Sequence, residues 1–352
     1  LSRLNICSKE SVVRQYDHEV QGGSVIKPLV GAQNDGPSDA AIVRPLLESM
    51  EGVVVAHGIC PRYSDIDTYH MTACAIDEAI RNAVAVGADL DHLAGLDNFC
   101  WCDPVQSDKN PDGEYKLAQL VRANMAIYDY TTAFGIPCIS GKDSMKNDYQ
   151  IGKTKISIPP TILFSVIGRI RDASKAVSMD AKHPGDLVYI IGETGDDMGG
   201  SEWFAMKNFT GNHVPQVNAA KAVKIYRALH RAMQSGIIAS CHDCSDGGLA
   251  VAVAEMAIAG MLGIEINLEK VPYKGKKRND SVLFSETASR FVVTIRPDNK
   301  NNFENIMAGN IFSRIGTVTK NNFLAVKDIA NRWMIREKVS ALKSAWQKTL
   351  KF

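Results

Sequence analysis

Residues 67–87 read DTYHMTACAIDEAIRNAVAVG. Asp67 or Thr68 can cap a helix whose body runs from Tyr69 through Val86, and Gly87 supplies its stop. The flanking segments are of another kind. Upstream, Ala41-Ile42-Val43 and Gly52-Val53-Val54-Val55-Ala56 are rich in β-branched residues and read as strands. Downstream, Ala94 to Leu96 reads as a buried strand ending at the polar turn Asp97-Asn98. A second helix is expected from Tyr115 to Phe134, closed by Gly135. Ile136 to Ile139 then reads as a short strand entering the turn Ser140 to Ser144, and Thr161 to Ile170 as the next strand. Strands alternating with helices predict an α/β fold rather than segregated elements.

The polar segment Arg171 to Lys182 is the candidate domain boundary. Beyond it, Leu187 to Ile191 reads as a strand ending in the glycine-rich loop Gly192 to Ser201. A strand over Gly236 to Ser240, helices over Ala219 to Ser235 and Leu249 to Gly260, and strands near Gly263 to Asn267 and Arg290 to Ile295 repeat the alternation. From Trp333 to Leu350, apolar residues recur at helical spacing, which predicts a packed terminal helix. The organisation expected is a connector arm over 1–37, rich in Gly, Ser, Gln and charge, then α/β domains over 38–172 and 183–352. The start, Leu1-Ser2-Arg3-Leu4, has no Met and no signal-peptide pattern, as expected of a fragment or processed product.

With 40 Lys plus Arg against 39 Asp plus Glu the formal charge is +1, which argues against a surface built broadly for polyanions. Leu249 to Ile264 is broken by Glu255, Gly260 and Gly263, so a membrane span is not expected. Eight cysteines in 352 residues are too few for a disulfide scaffold, and reduced thiols in a cytoplasmic setting are expected. Cys241, Cys244, Cys100 and Cys102 could offer four thiolates to zinc, but Cys-x-Cys is poor zinc spacing and free thiols are the favoured reading.

Three segments carry candidate chemistry. Glu78 and Asn82 project from one helix face, and a carboxylate beside an amide oxygen suits Mg²⁺; a solvated helix surface is the competing reading. Cys241 to Gly248 leads into a helix whose N-terminal N–H groups favour phosphate, with Asp243 and Asp246 as possible metal oxygens, although Asp-Gly-Gly also makes a plain turn. The loop Gly192 to Ser201 invites the same phosphate reading and matches neither the Gly-Lys-Ser/Thr phosphate loop nor the dinucleotide fingerprint. Ser140 to Met145 places Lys142 and Ser144 at a strand end, where Lys142 could meet a phosphate as a point charge. His57, His70 and His242 are possible acid–base groups, each more often a packed residue.

Taken together, the segments resemble the phosphoribosylformylglycinamidine synthase (formylglycinamide ribonucleotide amidotransferase) family, within the aminoimidazole ribonucleotide synthetase superfamily. The resemblance is carried by Gln15 to Gln21, Ile26 to Leu29, Ser38 to Ala41, Asp77 to Asn82, Asp97 to Trp101, Gly141 to Met145, Pro184 to Val188, Gly199 to Ser201, Ser245 to Leu249 and Leu283 to Glu286. It implies a fold of two α/β (α+β) domains like aminoimidazole ribonucleotide synthetase, and the Gln15 to Leu29 stretch resembles the connector into the second half of the synthetase.

The activity implied for the full enzyme is an ATP-dependent C–N ligation in de novo purine synthesis. ATP phosphorylates the formamide oxygen of formylglycinamide ribonucleotide, turning a poor leaving group into phosphate, and ammonia from glutamine displaces it to give the amidine. The cofactors implied are Mg²⁺ and ATP or ADP. Glu78, Asn82 and Asp243 would bind Mg²⁺, Ser245 and Gly141 would contact nucleotide, and Lys142 and Ser144 would contact substrate phosphate.

The partners implied are the first half of the synthetase and a glutaminase domain or subunit, without which the fragment would be inactive; alone it is expected to form a homodimer. The sequence departs from the family at Ala56-His57-Gly58, where a metal-binding Asp is usual. That gap leaves open a non-catalytic half with a degenerate nucleotide site. A stand-alone synthetase of the superfamily is the other alternative.

Overall fold

The computed structural model describes residues 1–351. Helix α1 (Thr68–Ala85) begins where Asp67 accepts from the Tyr69 and His70 N–H groups, at 2.8 and 3.2 Å. Helix α2 (Gly113–Phe134) ends at Gly135, whose φ of 71° suits a residue without Cβ. Helix α1 covers one face of a sheet, with α2 packed against α1; the sheet is made of β1 (Ser24–Ile26), β2 (Ala41–Val43), β3 (Gly52–Ile59), β4 (Leu93–Cys100), β5 (Cys138–Ser144) and β6 (Thr161–Ile170), in the order β1-β2-β3-β6-β4-β5. Strand β6 runs antiparallel to both β3 and β4, while β5 runs parallel to β4 at the edge. Along β3, Val54, Ala56 and Gly58 are buried and Val55, His57 and Ile59 face away, the period-two pattern of a sheet with one covered face.

The second sheet contains β7 (Leu187–Ile191), β8 (Ile238–Asp243), β9 (Gly263–Asn267), β10 (Phe291–Ile295), β11 (Phe312–Thr319), β12 (Phe323–Lys327) and β13 (Trp333–Lys338), in the order β8-β10-β7-β11-β9-β12-β13. After the short helix α3 (Glu202–Met206) come α4 (Ala219–Gln234) and α5 (Gly248–Gly260), against which strands β7 and β10, buried at every position, supply the core. The domains touch through α1 and α2 on one side and α4 on the other. Phe134 stacks on Tyr226 with ring centroids 6.3 Å apart, and the Tyr130 hydroxyl donates to the Val217 carbonyl at 3.1 Å.

Several boundaries differ from the sequence reading. Ala94 to Leu96 belongs to a strand that runs on through Asn98 to Cys100, because β6 pairs with it along its whole length. Ser140 to Ser144 is not a turn after a strand but the body of edge strand β5. The terminal segment is not one helix from Trp333: residues Trp333–Lys338 form β13 against β12, and the helix spans Val339–Gln347. The 1–37 arm is well anchored, since β1 extends the first sheet and the Trp346 ring N–H donates to the Ile6 carbonyl at 2.8 Å. Among the described residues no helix is long and apolar enough to cross a membrane.

Candidate functional site

The residues with the most chemistry meet where α1 crosses the end of β8. Asp77, Glu78 and Arg81 come from α1, separated by less than one turn and a half, so they share a stripe facing the second domain. Strand β8 delivers His242 and Asp243, and the turn after it delivers Ser245 and Asp246. Gly247 and Gly248 both have positive φ, 78° and 62°, and a Cβ on Gly248 would lie 2.4 Å from the Ser285 carbonyl oxygen, so the glycine is required where α5 starts. The segment after Ser285 brings Glu286 to the same place.

Arg81 is the hub. Its Nε donates to Asp243 Oδ2 at 3.0 Å, Nη2 donates to Ser245 Oγ at 2.7 Å, and Nη1 donates to Asp77. Only 3% of Arg81 is exposed, so the charge is satisfied inside the protein. Asp77 is completed by Ser289, whose N–H and hydroxyl donate at 3.0 and 2.7 Å, and by the Tyr226 hydroxyl. Burial pushes the Asp243 carboxyl up, but the Arg81 and His242 charges and the Ser245 and Arg81 hydrogen bonds outweigh it and hold the group below its usual range.

Beside this hub lies a small cavity of about 20 Å³ lined by Cys60, Tyr63, Glu78, Ser245, Asp246 and Glu286 among others. Glu286 Oε1 accepts from the Gly247 and Glu202 N–H groups at 2.8 and 2.9 Å, and Oε2 accepts from the Tyr63 hydroxyl at 2.8 Å. Burial pushes the Glu286 and Glu78 carboxyls each up to about 7. Burial, with Glu286 and Glu78 nearby, raises Asp246 well above its ordinary value.

His242 is enclosed by acids: its Nδ1 lies 2.7 Å from Asp39 and its Nε2 3.1 Å from Glu255. Burial opposes protonation there, but the Asp39 and Glu255 contacts dominate and hold the imidazole well above its usual range. The acid–base reading of His242 therefore becomes an ion-pair reading, with both ring nitrogens committed.

The sequence-expected ligands are only partly brought together. Glu78 Oε2 accepts from the Ile59 N–H at 2.8 Å, Asn82 donates its amide to the His57 carbonyl at 3.0 Å, and Asp243 holds Arg81. Ser245 stands beside Asp243 and donates to it. A Mg²⁺ ion needs oxygens free to turn toward it, and it would share Asp243 with a fixed guanidinium. As arranged, the Arg81 charge on Asp243 disfavours the ion there, while the Asn82 hydrogen bond uses its amide nitrogen and leaves Oδ1.

Gly141, Lys142 and Ser144 lie elsewhere, on edge strand β5, and none of them lines the cavity. Gly141 pairs with Asp97 and Lys142 with Asn98. The glycine-rich loop is also committed: the N–H groups of Gly192, Thr194, Gly195, Asp197 and Gly200 all donate within the protein. All eight cysteines are free, and among the described residues the one cluster of potential metal-binding side chains is Asp39, His242 and Asp243.

Arg81, Tyr63 and Glu255 were not singled out from sequence. The Asp77–Arg81 spacing was the available signal, since acid and base four apart on a helix pair readily.

The chain is two mixed α/β domains in tandem, joined by a buried ionic hub. The description "AIR synthase related protein, N-terminal domain" matches residues 37–170, and "AIR synthase related protein, C-terminal domain" matches residues 183–329. The chain belongs to this family. Within it, the chain is 33% identical over 335 residues to phosphoribosylformylglycinamidine synthase subunit PurL of Methanocaldococcus jannaschii, covering 94% of this chain and 43% of that protein. It is 34% identical over 359 residues to the same subunit of Synechocystis, covering 99% and 44%. The chain thus spans less than half the length of these relatives.

The fold is similar to the Thermotoga maritima PurLQS structure, with a TM-score of 0.70, 19% identity, and 91% of this chain and 48% of that one covered. A chain of the HypE–HypF complex matches at a TM-score of 0.62 and 19% identity, covering 86% and 93%.

Proposed function

We propose that this chain is the second half of the synthetase component of a phosphoribosylformylglycinamidine synthase. The assembled enzyme would use ATP to phosphorylate the formamide oxygen of formylglycinamide ribonucleotide and glutamine-derived ammonia to displace phosphate. The observation that carries the reading is the bare face of the first sheet. Val43, Val55, Ile59 and Ile167 are 42, 49, 40 and 46% exposed on the side opposite α1 and α2, with Val55 and Ile167 paired in register. An apolar sheet face of this kind calls for a covering partner. The partner that fits is the related first half of the synthetase, in keeping with this chain covering under half of each relative; a second copy would cover the face when that half is missing.

T. maritima PurL has been solved with FGAR, with ADP and with ATP. In our reading the ATP and its Mg²⁺ are held by the first half. Edge strand β5 then supplies Lys142 and Ser144 to the substrate phosphate and Gly141 to the nucleotide approach at the shared surface. A reading as a scaffold half accords with Arg81 on Asp243.

The test is reconstitution: this chain, a separately expressed first half, the substrate ribonucleotide, Mg·ATP and ammonia, with amidine formation as the readout. Turnover that requires both halves supports the reading. Turnover by the first half alone, or no association between the halves, removes it.

A further inference from the structure

Two side chains, Arg81 in the hub and Glu286 in the cavity beside it, hold the groups on the metal side and the phosphate side of this site. Arg81 reaches from α1 to Asp243 at 3.0 Å and Ser245 at 2.7 Å, the residues that resemblance gives to metal and nucleotide. A guanidinium stays charged at every accessible pH, and its planar fork satisfies acceptors in fixed directions. It is anchored also on Asp77, which Ser289 and Tyr226 hold in turn.

On the other side of the cavity, the start of α5 is the place where a phosphate would find free N–H groups. Glu286 is already there, accepting from Gly247 and from Glu202, and steadied by Tyr63. Nor is there space at Gly58 to restore the acid missing from this stretch, because a Cβ there would lie 2.2 Å from the Ala75 carbonyl oxygen.

We propose that this site is filled from within: Arg81 takes the cation's place and Glu286 the phosphate's, so that the two domains are locked together without metal or nucleotide. The lock rests on the reading of the chain as a synthetase half, and it gives that half a structural task. The first domain contributes Arg81 and Tyr63, and the second contributes Asp243, Ser245 and Glu286. A bound Mg·ADP would bring the same kinds of contact, but would leave the join dependent on ligand supply.

The experiment measures uptake by the full chain: Mn²⁺ by electron paramagnetic resonance titration, Mg·ADP by calorimetry, and melting temperature with and without EDTA. Wild type is expected to take up neither ligand at this site and to melt at the same temperature in EDTA. Arg81→Ala is expected to melt lower and to bind Mn²⁺ about tenfold more tightly than wild type, since a repelling unit charge has gone from beside Asp243. Mn²⁺ should restore part of its melting temperature, and Asp243→Asn added to Arg81→Ala should abolish both effects.

Stoichiometric Mn²⁺ or Mg·ADP in wild type, lost in Asp243→Asn, would overturn the proposal, and so would a folded Arg81→Ala that gains no Mn²⁺. If Arg81→Ala does not fold, the wild-type titrations still decide. Uptake is read without turnover, so failed amidine synthesis on reconstitution would remove the synthetase reading and leave this result standing.

Discussion

Arg81 and Asp243 meet across the boundary between the two domains, with Nε and Oδ2 3.0 Å apart and 4% and 7% of their side chains exposed. Desolvating both ions costs much of what their attraction returns, so the pair is worth less as a bond than its removal costs as a defect. Arg81→Ala leaves Asp77 and Asp243 buried without their guanidinium partner and should lower unfolding stability by about 3–5 kcal/mol. Arg81→Met with Asp243→Leu should recover part of that loss. Urea unfolding of the three chains measures both quantities, and a single-variant loss below about 1 kcal/mol would place the pair among exposed ones.

Stability should depend on pH in a direction that the buried acids decide. Glu78 and Glu286 sit at about 7 in the folded chain against an ordinary 4.5. The native state therefore holds protons that the unfolded chain has released, and stability present below about 4.5 is lost as pH climbs through about 7. His242, held well above its ordinary 6.5, acts with the same sign, since stability from its ion pairs is lost as pH rises through its folded value. Asp243, held below 3.8, acts the other way and only in acid. Urea midpoints should fall between pH 5 and pH 8.5, and Glu286→Gln should flatten the slope. A midpoint rising over that range would contradict the assignment.

The fold was largely legible because its signals are local. Asp67 ahead of a helical run, Gly135 behind one, and the β-branched run over Thr161–Ile170 each act through a few neighbours. Ser140 to Ser144 was not legible as a strand, since small polar residues have weak β preference and the strand exists through backbone pairing with β4. Trp333 fell on the helical spacing of Val339, Leu342 and Trp346, yet it pairs with Lys327 across the last strands, with that ammonium 4.9 Å from its ring centroid. Within the site, the acids stood out and Arg81 did not. Position on a helix tells which residues share a stripe, but what the stripe meets depends on β8, more than 150 residues away in sequence.

Gly58 should tolerate no side chain. Strand β3 lies so close to α1 that a Cβ would stand 2.2 Å from the Ala75 carbonyl oxygen and 2.7 Å from the Ala79 nitrogen, both of them backbone atoms unable to swing aside. Gly58→Ala must therefore push strand and helix apart and carry Glu78 with them. The expected cost is about 1–3 kcal/mol, as for other overpacked sites. Thermal melting checks it, and an unchanged melting temperature would mean that β3 and α1 slide freely.

Ile167→Glu should separate association from folding. Ile167 lies at 46% exposure in the middle of β6, paired in register with Val55 and Ala94, on the face that the helices leave bare. In the isolated chain a charge there meets water and costs little, within about 0.5 kcal/mol. Against a covering apolar surface the same carboxylate must be desolvated without a partner, which costs several kcal/mol and should prevent docking. Sedimentation should show wild type self-associating with concentration and binding a separately expressed first half, while Ile167→Glu stays monomeric with an unchanged circular dichroism spectrum. A wild-type mass that stays monomeric at every concentration would remove the homodimer. Equal binding of the first half by both chains would mean that the halves meet through another surface, with the exposed stripe of α2 at Leu117, Val121, Met125 and Tyr128 next in line.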